Sequence, residues 1–145
     1  MKELKDFARL LQISVLLLVA LSAGLSFGCG VGQDKEAAET IAARIHTQMR
    51  SRDFAGVYNQ SANGFRTVSE AQFVSDMTEI QNKLGQITEV KAVAYQTGLD
   101  TRAGRTHTLI FAVRYDRGRV RETLVFVRGD NNEMQLWRLG VEPLN

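Results

Sequence analysis

Between Leu84 and Ile87 the hydrophobic pattern of this chain changes period, and no other feature limits its fold as strongly. Before that point apolar residues recur every three or four positions: Ala38, Ile41, Ala42, Ile45 and Met49, then Phe73, Met77, Ile80 and Leu84. This spacing lines one face of a helix. After it the apolar residues alternate, as in Leu109, Phe111, Val113 and Tyr115, then Val120, Leu124 and Phe126. That is the pattern of strands with one buried face. Helices first and strands afterwards pack as helices on one face of an antiparallel sheet. The expected fold class is α+β, with N-terminal helices against a four-stranded antiparallel sheet.

End signals place the elements. Asp34 and Glu36 suit the start of a first helix over 34–51, and Arg50 and Arg52 suit its end. Asp53 caps a short second helix that turns Phe54, Val57 and Tyr58 inward, and 59–64 is a polar loop. Ser69 and Gln72 form a capping box, with Val68 and Phe73 as its hydrophobic staple, and Gly85 supplies the left-handed stop. Strands are expected at about 88–96, 106–115, 120–128 and 134–141. Asp116-Arg117-Gly118-Arg119 is the turn of the central hairpin. Pairing Tyr115 with Val120 sets Phe111 opposite Leu124, Leu109 opposite Phe126, and Arg114 opposite Arg121.

The first 33 residues follow different rules. Lys2, Lys5 and Arg9 stand against Glu3 and Asp6, and then no charge occurs over the 24 residues from Leu10 to Gln33. A basic start, an apolar middle and the small-residue exit Ser26-Phe27-Gly28-Cys29-Gly30 make the layout of an export signal. The Gly28-Cys29 junction at its end resembles that of bacterial lipoprotein signals, in which the cysteine receives the lipid. Ser26 departs from that pattern, where leucine is commonest. The resemblance implies a signal peptide over 1–28, a lipidated Cys29 with a short tether over 29–33, and one domain over 34–145. It places that domain outside the cytoplasm, facing the periplasm or the cell exterior. Two other readings of the leader stay open. Twenty-four uncharged residues reach about 36 Å as a helix, enough for a retained membrane anchor, and a plain secretory signal would leave Cys29 a bystander.

Composition excludes several functions. Eighteen Lys+Arg against sixteen Asp+Glu leave +2, too little for binding nucleic acid by bulk charge. The single cysteine cannot close an intrachain disulfide or build a cysteine zinc cage. His46 is expected beside the exposed face of its helix and His107 at a strand start, without a second well-spaced ligand. No metal and no cofactor are therefore expected.

The order of a helix, a short Asp-Phe-Ala helix, Phe65-Arg66, Val68-Ser69-x-x-Gln72-Phe73, Leu84-Gly85 and four strands resembles small bacterial lipoproteins and periplasmic proteins of the cystatin-like, nuclear-transport-factor-2-like fold. That fold hosts isomerases, dehydratases and noncatalytic binding modules, so it does not settle function. An isomerase of this type needs an acidic base and a tyrosine donor. Glu122 is the one acid on the inner face of the central hairpin, near Tyr115, and a solvated edge carboxylate is the plainer expectation. The expected function is noncatalytic binding of an envelope protein or a small apolar ligand, with Tyr58, Phe65, Phe73, Phe111 and Trp137 as pocket residues. An isomerase or dehydratase using the cone is the alternative. Arg114 and Arg121, set opposite one another, are candidates to face an anion. The other sheet face, with Thr108, Ile110, Ala112, Thr123, Val125 and Val127, is apolar enough to suggest a homodimer through the sheet.

Overall fold

The computed structural model describes residues 29–144. The expected signal peptide, 1–28, lies outside them, as do the side chains of residues 29–31. The elements in order are α1 (Cys29–Arg50), α2 (Phe54–Asn59), a 3-10 turn (Asn63–Phe65), α3 (Glu70–Leu84), then β1 (Ile87–Asp100), β2 (Gly104–Tyr115), β3 (Gly118–Arg128) and β4 (Met134–Pro143). The four strands form one antiparallel sheet in sequence order. No helix among the described residues is long and apolar enough to cross a membrane.

Helix ends follow the side chains. Asp53 accepts from the Gly56 amide at 3.0 Å and so opens α2. Ser69 accepts from the Gln72 amide at 3.2 Å and opens α3, satisfying one of the donors that a helix start leaves free. Only that half of the capping box forms, because the Gln72 side chain reaches forward to Asp76 at 2.6 Å. Gly85 ends α3 with φ +86, a backbone conformation that costs glycine little. Asp34 does not cap α1, which already begins at Cys29. Its carboxylate instead accepts from Arg128 Nε at 2.9 Å, tying the helix to β3.

The core lies between the helices and one sheet face. Ile45 and Met49 of α1, Val57 of α2, Leu109 and Val113 of β2, Leu124 and Phe126 of β3, and Leu136 of β4 are almost wholly buried, each worth about 1.5–3 kcal/mol. Among the described residues, every core side chain comes from the stretch between Ala37 and Val141, so a chain beginning at Gln33 keeps all of these.

The central hairpin is two residues tighter than the apolar pattern suggests. Tyr115 pairs with Gly118, Val113 with Val120, Phe111 with Glu122 and Leu109 with Leu124. A two-residue shift leaves every side chain on its original face, so the inner face is as expected while the partners differ. The turn is held by α3. Asp116 accepts from the Gln86 amide at 2.7 Å, the Arg117 amide donates to Leu84 O at 2.8 Å, and the Arg117 side chain donates to Lys83 O at 2.8 Å. Arg114 consequently stands opposite Arg119, and Arg121 opposite Ala112. The expected Arg114–Arg121 pair is not formed. Each has a cross-strand carboxylate instead, Glu89 at 3.5 Å from Arg114 and Glu142 at 3.9 Å from Arg121.

Candidate functional site

Two places combine chemistry with position: a sealed polar cluster within the core and an open aromatic cleft.

The cluster is centred on Glu122, which is 0% exposed. Its Oε2 lies 2.9 Å from His46 Nε2, and its Oε1 accepts from the Tyr115 hydroxyl at 3.2 Å. Phe111 meets the His46 ring edge-on, with centroids 4.8 Å apart. The expectation of a solvated edge carboxylate is overturned. The tighter register carries Glu122 from the hairpin end to the middle of the ladder, opposite Phe111. His46 is likewise not on an exposed face but 3% exposed. It lies four residues after Ala42 and three before Met49, and therefore on the buried stripe itself.

Burial first, then the Glu122 charge and hydrogen bond, hold the Tyr115 phenol above its ordinary range, keeping it a neutral donor. An acid, a histidine and a tyrosine donor are the parts of general acid–base chemistry. Here the three are 0%, 3% and 4% exposed, and each polar tip is occupied by another. The arrangement fastens α1 to β2 and β3, and a reactant reaches it only if the cone opens.

A second chain of polar groups joins Tyr95, His107, Asp34 and Arg128. The Tyr95 hydroxyl is 2.8 Å from His107 Nδ1, and His107 Nε2 is 3.6 Å from Asp34. Burial pushes the His107 imidazole below its ordinary value, opposed by Asp34 and reinforced by Arg128 and Arg105.

The cleft has a volume of about 500 Å³, within the range of small-ligand sites. Phe65, Phe73, Leu139 and Trp137 supply its apolar wall, while Asp100, Arg102 and Arg138 supply its charge. Trp137 is aimed by a bulge. Val125 pairs with Arg138 and Phe126 with Leu136, leaving Trp137 as the extra residue on β4. Bulges commonly redirect a side chain in this way. The indole lies against Gly64, where even a methyl group would overlap it.

The cleft unites only part of the expected pocket. Phe65, Phe73 and Trp137 line it. Tyr58 stands behind, its ring 6.1 Å from Phe65 and 5.9 Å from Phe73, its hydroxyl donating to Val68 O at 2.7 Å. Phe111 belongs to the sealed interior. Sequence reasoning missed Gly64 and Arg138 and did not join Arg102 to the aromatic residues, because the cleft joins a loop, a hairpin tip and a strand far apart in the chain. Among the described residues, no group of three His, Cys, Asp or Glu is placed to hold a metal ion.

Among solved structures, ActVI-ORFA from Streptomyces coelicolor shares this architecture with a TM-score of 0.52 at 15% identity, covering 74% of this chain and 93% of that one. The fold is the nuclear-transport-factor-2-like cone. At that identity the likeness is one of fold alone. Neither protein-family models nor curated proteins give a match. The inner sheet face is packed around Glu122, and an open, partly aromatic volume lies beside Trp137.

Proposed function

We propose that the protein is a bacterial lipoprotein, held to a membrane of the cell envelope by acyl chains on Cys29, whose cone domain binds a small apolar or amphipathic molecule without transforming it. The observation that carries the binding reading is the contrast within the cone. The one inner-face acid of the hairpin is sealed with its partners at 0% exposure, while an aromatic cleft of about 500 Å³ is open to solvent. An isomerase or dehydratase would need the reverse arrangement.

Support for the anchor comes from the uncharged run before Gly28-Cys29 and the near-neutral body. Three of the eighteen basic and two of the sixteen acidic residues precede Cys29, leaving +1. Charge alone would hold such a body weakly to an anionic surface, whereas acyl chains contribute about 0.8 kcal/mol per buried methylene.

The test is Cys29→Ser in cells fed a clickable palmitate analogue. Loss of the label together with accumulation of unprocessed chain supports the reading. Unchanged processing and membrane retention overturn the lipid anchor in favour of a retained span or plain secretion.

The outer sheet face supports a second copy of this chain as a partner. Thr108, Ile110, Ala112, Thr123 and Val125 form a half-buried strip, flanked by the Glu89–Arg114 and Arg121–Glu142 pairs. Both charge signs border the strip, so a twofold-related copy can meet it with complementary charges. A monomer by light scattering of the 33–145 segment at several hundred micromolar would rule this out.

A further inference from the structure

The cleft carries more than an apolar wall. Arg102 and Arg138 both line it and both are exposed. Among the described residues, neither has a carboxylate within 4 Å or a side-chain hydrogen bond. The acid beside them, Asp100, is already engaged. Its Oδ1 accepts from the Arg102 and Ala103 amides at 2.8 and 3.0 Å, and these bonds first, then the nearby Arg138 and Arg102 charges, hold its carboxyl below the ordinary range. Among the described residues, two guanidinium groups face one carboxylate with no ion pair within 4 Å between them, which leaves the rim net positive. Below them, Phe65 and Phe73 pack edge to face at 5.2 Å, and Val68 stands at the rim 43% exposed.

We propose that the cleft takes a small soluble amphipathic anion, its apolar body against Phe65, Phe73 and Trp137, its acidic end on Arg102 and Arg138. Guanidinium forks match carboxylate and sulfonate geometry, and such charge-assisted bonds outweigh neutral ones. Aromatic faces supply the apolar contact at low entropic cost. This assignment rests on the binding reading above and adds the ligand's charge.

The test uses the 33–145 segment, which holds every core side chain of the described residues, and two probes of one skeleton: 8-anilinonaphthalene-1-sulfonate and its uncharged relative N-phenyl-1-naphthylamine. Trp137 is the sole tryptophan, so energy transfer from it reports probe bound to the domain, and the arginine variants report whether that probe sits in this cleft. Saturable one-to-one transfer to the sulfonate is expected, displaced by dodecanoate below its micelle concentration. Arg102→Gln with Arg138→Gln should weaken the sulfonate by about tenfold or more and leave the neutral probe within about twofold. Both side chains are exposed, so an unchanged melting curve checks that the variant is folded.

Equal affinity for the two probes, or no effect of the arginine variants, overturns the anion assignment while the binding reading stands. Failure of both probes to saturate overturns both. Sedimentation with phosphatidylglycerol vesicles that disappears in the double variant would replace the soluble ligand by a lipid headgroup.

Discussion

Removing His46 should cost this domain a large share of its stability, and removing Glu122 with it should return much of the loss. His46→Leu keeps a similar volume but leaves the 0%-exposed Glu122 carboxylate with one remaining partner, Tyr115 at 3.2 Å. Stranding a buried charge in this way costs about 3–5 kcal/mol. Glu122→Leu leaves two donors, His46 Nε2 and the Tyr115 hydroxyl, without their acceptor, at about 1–3 kcal/mol each. The double variant leaves only the tyrosine hydroxyl unpaired, about 1–3 kcal/mol. The cycle therefore predicts a favourable coupling of at least about 2 kcal/mol between the two positions. A single small domain has only about 5–15 kcal/mol in total, so the loss in His46→Leu is readily seen in urea unfolding followed by Trp137 emission and circular dichroism. Losses that add within about 0.5 kcal/mol would refute the pairing. A gain in stability from Glu122→Leu alone would refute the structural role and mark a carboxylate kept at the expense of the fold.

Two further outcomes follow from the same geometry. Because burial lowers the His107 imidazole, the unfolded chain binds the proton more readily. The His107 contribution to stability should be level above about pH 6.5 and fall below it, by at most about 1.4 kcal/mol per pH unit. His107→Asn should flatten that slope just below about pH 6.5, and an unchanged slope in urea midpoints against pH would contradict the assignment. Gly64→Ala should expel the Trp137 ring from its seat, because the added methyl overlaps the indole. A red-shifted emission maximum and a loss of about 1–3 kcal/mol are expected, and emission identical to wild type would show that the ring does not lie there.

The element order and the buried faces were legible because they depend on local periodicity. Phe73, Met77, Ile80 and Leu84 lie on one stripe, and Ser69, Asp53 and Gly85 act where their chemistry suits helix ends. The hairpin register was not legible. A slip of two residues leaves the in-and-out alternation intact, and what selects the tighter pairing is the docking of Asp116 and Arg117 onto the end of α3. That slip also explains the misplacement of Glu122 and the absence of the Arg114–Arg121 pair. His46 did carry a signal. Its neighbours at helical spacing, Ala42 and Met49, are both core residues, but its polarity suggested the opposite face. Asp34 looked like a cap and instead joins Arg128, 94 residues away. The aim of Trp137 depends on a bulge in β4, and hydrophobic periodicity does not encode bulges.

The claim on which the functional account turns is that ligands enter beside Trp137 and not the packed interior of the cone. Intermolecular nuclear Overhauser contacts from bound 8-anilinonaphthalene-1-sulfonate to the 33–145 segment test it directly. Contacts confined to Phe65, Phe73, Trp137 and Leu139 are the predicted result. Contacts to His46, Phe111 or Tyr115 would contradict the account and place an accessible acid at the centre of the cone.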